Sequence, residues 1–322
     1  MSQDLVLGID IGGTNTPFAL VDAEGGTPLR EVIPTCANQP LTQLLDRLFA
    51  RLDSRRAEVP AGAVLRAVGV GAPNANALTG WVESPPNVSW GRADLAGELA
   101  RRSGLPVFLT NDANAAALGE WSMGAARGEG NLLVITLGTG LGSGLIVGGQ
   151  LVHGASGHAG ELGHVCVEPA GRPCNCGLRG CLECWVSAGG MLQTAREAGL
   201  DLTPWCAAGE APHPGALHRA ALSGDARAAQ VFEITGAMLA RGLATAVHLV
   251  SPARIVLCGG IARAGDWILG PVSRHLPPLL MEPFRAGVRV ELSQLDPDLA
   301  GVLGAAAWAR RGLAIQGDAV RA

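Results

Sequence analysis

The stretch DLVLGIDIGGTNTPFALVD, residues 4–22, reads as a strand, a glycine turn and a second strand. Residues 4–10 form a short apolar run that closes on an acid, Asp10, and PFALVD (17–22) follows Gly12, Gly13 and Thr14 as a hairpin partner follows its turn. The same order returns in NLLVITLGTGLGSGLIVGG (131–149), where Gly138, Thr139 and Gly140 separate two β-rich runs. Two copies of strand, Gly/Thr turn and strand in one chain predict two similar halves. Glycines let backbone N–H groups converge on an anion with no Cβ in the way, and a threonine hydroxyl adds a donor. A single such turn serves equally well as a plain hairpin tip. The pair of them, the first led by an acid placed to anchor Mg²⁺ directly or through water, points to nucleotide phosphates.

Working outward, strand-like and helix-like segments alternate, which predicts an α/β architecture. Leu41, Leu44, Leu45, Leu48, Phe49 and Leu52 recur at three and four, the stripe of an amphipathic helix. AVGVGAP (67–73) and LPVFLTND (105–112) read as buried strands that end in turn or polar residues, where ligands bind in open α/β sheets. IVLCGGIARAGD (255–266) runs a strand into Gly259 and Gly260 and then a helix, a place where a flat base or ribose can lie against the backbone.

Composition narrows the classes. A chain of 322 residues with 48% hydrophobic and 16% charged residues has apolar material for a core and a length suited to two domains. The formal charge is -4 and no lysine occurs, so a Walker A loop is excluded, and no G-x-G-x-x-G fingerprint is present. The lack of a basic cluster argues against nucleic acid as a partner. MSQDLVLGID has neither a basic start nor a long apolar core, so a cytoplasmic protein is expected rather than a secreted one. Glycines interrupt the longest uncharged stretch, Asn131 to Val152, which therefore reads as strands and not as a membrane span.

Four of the eight cysteines, Cys174, Cys176, Cys181 and Cys184, fall within GRPCNCGLRGCLEC (171–184). Metal ligation, disulfides or packed thiols are the alternatives, and a reducing compartment weighs against disulfides. Cys36, Cys166, Cys206 and Cys258 show no spacing and read as core; His153 and His158 read as surface or loop. Asp112, in LTNDANAAALGEW, follows a strand and precedes an alanine-rich segment, so on residues alone it reads as a helix cap.

DIGGTNT (10–16), ND (111–112), LGTGLGSGL (137–145), GHAGELGH (157–164), CNCGLRGCLE (174–183) and CGGIARAGD (258–266) resemble, in order and spacing, the ROK family of repressors, open reading frames and sugar kinases. The resemblance runs from residue 4 to about 310. It implies the actin-like ATPase, ribonuclease H-like fold: two α/β domains around a cleft, divided as residues 1–114 with a C-terminal helix 303–322, and residues 115–302 with a zinc site. It also implies ATP- and Mg²⁺-dependent phosphorylation of the 6-hydroxyl of a hexose, and a homodimer. Glucose is the first expectation; N-acetylmannosamine, N-acetylglucosamine and fructose are alternatives, and the intact Asp112 disfavours a non-catalytic sugar sensor. Only nine residues precede Asp10, too few for the helix-turn-helix of a repressor.

The resemblance assigns roles as well. Asp112 is the catalytic base; Asn111, Asn87, Glu161, His164 and Glu183 contact the sugar; Asp10, Gly12, Gly13, Thr14, Gly138, Thr139, Gly140, Gly259 and Gly260 hold the nucleotide. Cys174, Cys176, Cys181 and His164 hold a structural zinc, with Cys184 as the competitor for the fourth position; three thiolates and an imidazole make a closed tetrahedral set. Two departures stand out. Asn15 occupies a position where many relatives have lysine, leaving phosphate contacts to Thr14 and the backbone. Asn74 and Asn76 follow G-A-P where many relatives have a glycine, and are expected to reshape the sugar pocket.

Overall fold

The computed structural model describes residues 3–85 and 88–321. Asn87 lies outside them. Internal contacts group the chain into two units: Met1–Gly128, Leu151–Ala159 and Gln294–Ala322 form the first, Glu129–Gln150 and Gly160–Ser293 the second.

The first unit holds β1 (Asp4–Asp10), β2 (Asn15–Val21), β3 (Leu29–Pro34), β4 (Val64–Ala72), a small ribbon of β5 (Val82–Glu83) with β6 (Arg92–Ala93), and β7 (Val107–Asn111). Its main sheet has the order β3-β2-β1-β4-β7, antiparallel at the β3, β2 and β1 side and parallel from β1 to β4 to β7. Alternation along β1 explains why both faces are covered. Leu5, Leu7 and Ile9 pack with Leu44, Leu45 and Leu48 of α1 (Leu41–Ser54) and with Leu95 and Leu99 of α2 (Leu95–Ser103). Val6 points the other way, to Val302, Ala306 and Ala309 of a long C-terminal helix, Pro297–Arg321, which also packs on α3 (Asp112–Ser122). That helix comes in very close: a Cβ on Gly301 would stand 2.2 Å from Oδ2 of Asp10.

The second unit repeats the plan. β8 (Leu132–Leu137), β9 (Leu141–Val147), β10 (Gln150–Leu151), β11 (Arg254–Cys258) and β12 (Arg289–Leu292) are ordered β10-β9-β8-β11-β12, with β8 and β9 antiparallel and β8, β11 and β12 parallel. Each sheet thus has a hairpin whose first strand is followed by two parallel neighbours, as the echo between residues 4–22 and 131–149 predicts. Leu133, Ile135, Leu137, Ile255 and Leu257 share one core with α4 (Glu183–Val186), α5 (Ala188–Glu197), α6 (Pro214–Leu222), α7 (Ala226–Val250) and α8 (Asp266–Leu279). A short α9 (Glu282–Arg285) follows, so the C-terminal helix of the first unit is α10. The helix expected after Gly259 and Gly260 is α8, reached through a 3-10 turn over Ala262–Ala264 and Gly265, at φ 62°. Among the described residues no helix is long and apolar enough to cross a membrane.

Candidate functional site

In the first unit, β7 runs straight into α3, which brings Asn111 and Asp112 to the end of a parallel strand. The helix cap is Asn111: its Oδ1 accepts from the N–H groups of Ala113 and Asn114 at 2.8 and 3.4 Å. Asp112 is therefore the first helical residue and not the cap that its sequence neighbourhood suggests, and its Oδ1 accepts from Ala113 N–H at 2.9 Å. Asp10, at the end of the adjoining part of the sheet, has its carboxyl pushed up to about 7 by burial and by the negative charge of Asp112. A divalent cation would reverse that shift, so the two carboxylates suit a metal-bearing phosphate site. Between Asp10 and β2 the turn of Gly12, Gly13 and Thr14 is closed by Gly12 N–H donating to Asn15 C=O at 3.0 Å.

Asn74 and Asn76 brace this unit's own loops. The Asn74 amide donates to the carbonyls of Glu83 and Ser84, and buried Asn76 donates to Ser156 C=O at 2.8 Å while accepting Leu78 N–H at 2.9 Å. His153 lies in the loop after β10, as expected, but is half-buried there: its ring lies 5.0 Å from that of Trp308, and burial lowers its pKa.

In the second unit, the matching turn of Gly138, Thr139 and Gly140 joins β8 to β9. Gly259 sits at φ 90° at the end of β11, and a Cβ there would meet Leu137 C=O at 2.5 Å, so only glycine lets the two parallel strands end together. A Cβ on Gly260 or Gly138 meets nothing within 4 Å, because both line an open pocket of about 380 Å³. His213, His218, Phe232, Ile261 and Arg263 complete its walls. Apolar faces with a few polar groups suit a nucleobase. Ile261 and Arg263 belong to the stretch 255–266 read from the sequence, whereas His213, His218 and Phe232 carry no local signature.

The cysteine cluster is folded by an antiparallel bridge between Cys166 and Cys181, with Leu182 N–H donating to Val165 C=O at 3.0 Å, which carries His164 to the cysteines. Gly177 and Gly180, at φ 90° and 74°, wrap the chain round the cluster. The donor atoms of His164, Cys174, Cys176 and Cys181 all lie within 4.8 Å of one another. Sγ of Cys176 and Cys181 are 3.7 Å apart, and Cys174 Sγ is 3.8 Å from Nδ1 of His164. Two thiolates bound at about 2.3 Å to a tetrahedral zinc lie about 3.8 Å apart, so the donor set and its spacing fit that ion. As a bare thiol Cys181 is pushed up to about 12, chiefly by burial, which a coordinated dication would overcome. Cys184 lies outside the set; its Sγ faces Pro173 C=O at 3.5 Å. Cys166, expected in the core, is exposed.

Two further side chains hold this region. Buried Arg172 donates to the carbonyls of Cys184 and Gly190 and to Thr194 and Glu197, and stacks 4.0 Å over Trp185. Ser143 on β9 accepts Leu162 N–H at 3.3 Å and donates to Gly160 C=O, fixing the segment that carries Glu161. Glu161 is exposed, 4.0 Å from Nε2 of His164, while Glu183 starts α4 and accepts Leu141 N–H at 2.9 Å in the β8–β9 turn.

With both turns, the carboxylate pair and the Cys/His cluster in place, the sequence pattern of the ROK family matches residues 6–312. The chain belongs to the ROK family. Within it, the glucokinase of Thermotoga maritima is 36% identical over 94% of this chain and 96% of its own. The crystal structure of a ROK family glucokinase from Streptomyces griseus in complex with glucose and AMPPNP is 34% identical, with a TM-score of 0.79 covering 96% of this chain and 100% of that one. An N-acetylmannosamine kinase of Escherichia coli is 31% identical over 94% of this chain and 98% of its own. The actin-like ATPase fold of these ROK sugar kinases accounts for the duplicated sheet plan.

Proposed function

We propose that this ROK protein transfers the terminal phosphoryl group of ATP to the 6-hydroxyl of glucose. The observation that carries the reading is the match over nearly the full length of both chains to glucokinases, one of them in complex with glucose and AMPPNP. In this reading Asp112 takes the proton of the 6-hydroxyl, the hydroxyl oxygen bonds to the γ-phosphorus, and the bond to the bridging oxygen breaks to release ADP. Because Asn111 caps α3 through Oδ1, its Nδ2 is the end left for a sugar oxygen. Glu161, Glu183 and His164 accept or donate to sugar hydroxyls, His164 through Nε2 while Nδ1 faces the cysteines. Asn87 belongs to the same assignment from sequence.

The turns at Gly12–Thr14 and Gly138–Gly140 offer backbone N–H groups to the phosphates, and the pocket beside Gly260 receives the base. Asp10 is the carboxylate that would hold Mg²⁺, which supplies charge neutralisation of the phosphates. Cys174, Cys176, Cys181 and His164 would hold zinc, a closed structural site that fixes the segments bearing Glu161 and Glu183.

A coupled assay with ATP against glucose, mannose, fructose, N-acetylglucosamine and N-acetylmannosamine tests the reading. Glucose is expected to give the highest kcat/KM. A clear preference for N-acetylmannosamine, the acceptor in the name of the E. coli relative, would overturn the choice of sugar but not of reaction.

A further inference from the structure

Thr35, just past the end of β3, belongs to no motif, yet it is 1% exposed and its neighbour Thr16 is 0% exposed. The Thr35 hydroxyl donates to Gly12 C=O at 2.7 Å, and the Thr35 N–H donates to Thr14 C=O at 2.8 Å. Oγ1 of Thr16 lies 2.9 Å from Oγ1 of Thr35. A hydroxyl has one proton to give, and that of Thr35 goes to Gly12, so Thr16 is the donor to Thr35. The result is a buried relay, Thr16 to Thr35 to Gly12, on the side of the β1–β2 turn next to β3.

This relay decides where the turn aims its donors. In a trans peptide the C=O of one residue and the N–H of the next point in opposite directions. Fixing Gly12 C=O on Thr35 therefore turns Gly13 N–H away from Thr35. Thr14 C=O is fixed by the same residue, so both ends of the Gly13–Thr14 tip are pinned by one side chain and one amide. The next residue, Cys36, is held at φ 53°, a left-handed conformation that costs about 1 kcal/mol in a non-glycine residue and needs its surroundings to enforce it. With Asn15 as the next residue and no lysine anywhere in the sequence, the turn has no lysine to compensate for a misdirected amide.

The geometry points to Thr35 as a positioning residue that orients the Gly12–Thr14 turn for ATP phosphates, an inference that rests on the reading of that turn as a phosphate cradle. Thr35→Val keeps the shape and removes the hydroxyl; Thr35→Ala is made beside it so that a folding failure of one leaves the other to read. In folded variants of the full chain, checked by circular dichroism, kcat/KM for ATP is expected to fall about tenfold, the worth of one lost hydrogen bond of roughly 1.4 kcal/mol. KM for glucose should stay within about twofold, and Thr35→Ser should restore the wild-type value, since the hydroxyl and not the methyl is what Gly12 meets. Unchanged kcat/KM for ATP in the valine or alanine variant, a serine variant as impaired as valine, or a glucose KM that rises in step would each overturn the inference. A wild-type protein without ATP-dependent sugar phosphorylation would overturn the reading of the turn, and this inference with it.

Discussion

The carboxylate of Glu183 accepts the backbone N–H of Leu141 at 2.9 Å, so one side chain, two residues past the cluster cysteine Cys181, closes onto the glycine turn between β8 and β9. Glutamine keeps an acceptor at that place and alanine does not. Glu183→Ala is therefore expected to raise KM for ATP about tenfold and Glu183→Gln by less than about threefold, by the usual net worth of one hydrogen bond. Steady-state kinetics on both variants checks this, and equal effects from the two would refute it.

Metal content follows from the donor geometry of His164, Cys174, Cys176 and Cys181. Elemental analysis should find one zinc per chain in the wild type, none in Cys181→Ser and a full complement in Cys184→Ser, because Cys184 faces Pro173 and stands outside the set. Zinc lost from Cys184→Ser and kept in Cys181→Ser would invert the ligand assignment.

Since Asn111 caps α3, Asp112 can be changed without removing the cap. Asp112→Asn should fold with a stability no lower than wild type, since it also removes the charge that acts on Asp10, and bind glucose within about threefold, while kcat falls by about 10² to 10⁴, the usual worth of a positioned base. Asn111→Ala, by contrast, should cost about 1 kcal/mol of stability. Calorimetry, chemical denaturation and a coupled assay give the three readings; a kcat loss under about tenfold in Asp112→Asn would return Asp112 to a merely positioning role.

Asp10 makes stability depend on pH. Its carboxyl is raised from 3.8 to about 7, by burial first and by Asp112 second. Between those values the unfolded chain has lost the proton and the folded chain keeps it, so stability falls as pH rises through the window and levels off above it. At about 1.4 kcal/mol per unit the whole effect is at most about 4 kcal/mol. Urea unfolding in divalent-free buffer at pH 5 and pH 8 should show this decline in the wild type and a smaller one in Asp10→Asn. Equal declines in the two proteins would remove Asp10 as the source.

Neighbouring glycines at the end of β11 should respond in opposite ways. A Cβ at Gly259 meets Leu137 C=O at 2.5 Å and φ is 90°, whereas one at Gly260 meets only pocket space. Gly259→Ala is expected to lose about 1–3 kcal/mol of stability, and Gly260→Val to fold normally with a raised KM for ATP. Thermal unfolding and kinetics on the pair test it; a destabilised Gly260→Val with an unchanged KM would contradict the pocket assignment.

What the sequence made legible were features carried by neighbouring residues. The two glycine turns and the four-donor cluster have short-range spacings, and the continuous apolar run of residues 5–9 is the mark of a strand buried on both faces. Features made by distant residues left no such trace. The pocket walls His213, His218 and Phe232 come from the start and body of α6 and from α7; Glu183 reaches Leu141 across 42 positions; Thr35 meets Gly12 across 23. On residues alone Asp112 reads as the cap of α3 and the cap is Asn111, because both are good capping residues and only backbone geometry separates them. Cys166 looked like core by composition, but its backbone pairs with Cys181 at the edge of the cluster, leaving the thiol exposed.

The threading of the chain sets an order on its biosynthesis. Strands β1 and β4 emerge early, but the face they turn toward α10, including Gly8 and Gly69, where a Cβ would clash with helix carbonyls at 2.3 and 1.8 Å, has its partner only once residues 297–321 have been made. Until then Val6 and Ala67 lack Val302, Leu303, Ala306 and Ala309, half of the buried cluster they share. The second unit's long segment, Gly160–Ser293, is complete before that helix exists, so although the first unit begins first it finishes last. Its final packing step joins β1 and β4 to a helix more than 200 residues further on, a long-range contact of the kind that folds slowly and leaves apolar sheet surface open to chaperones and to aggregation during translation.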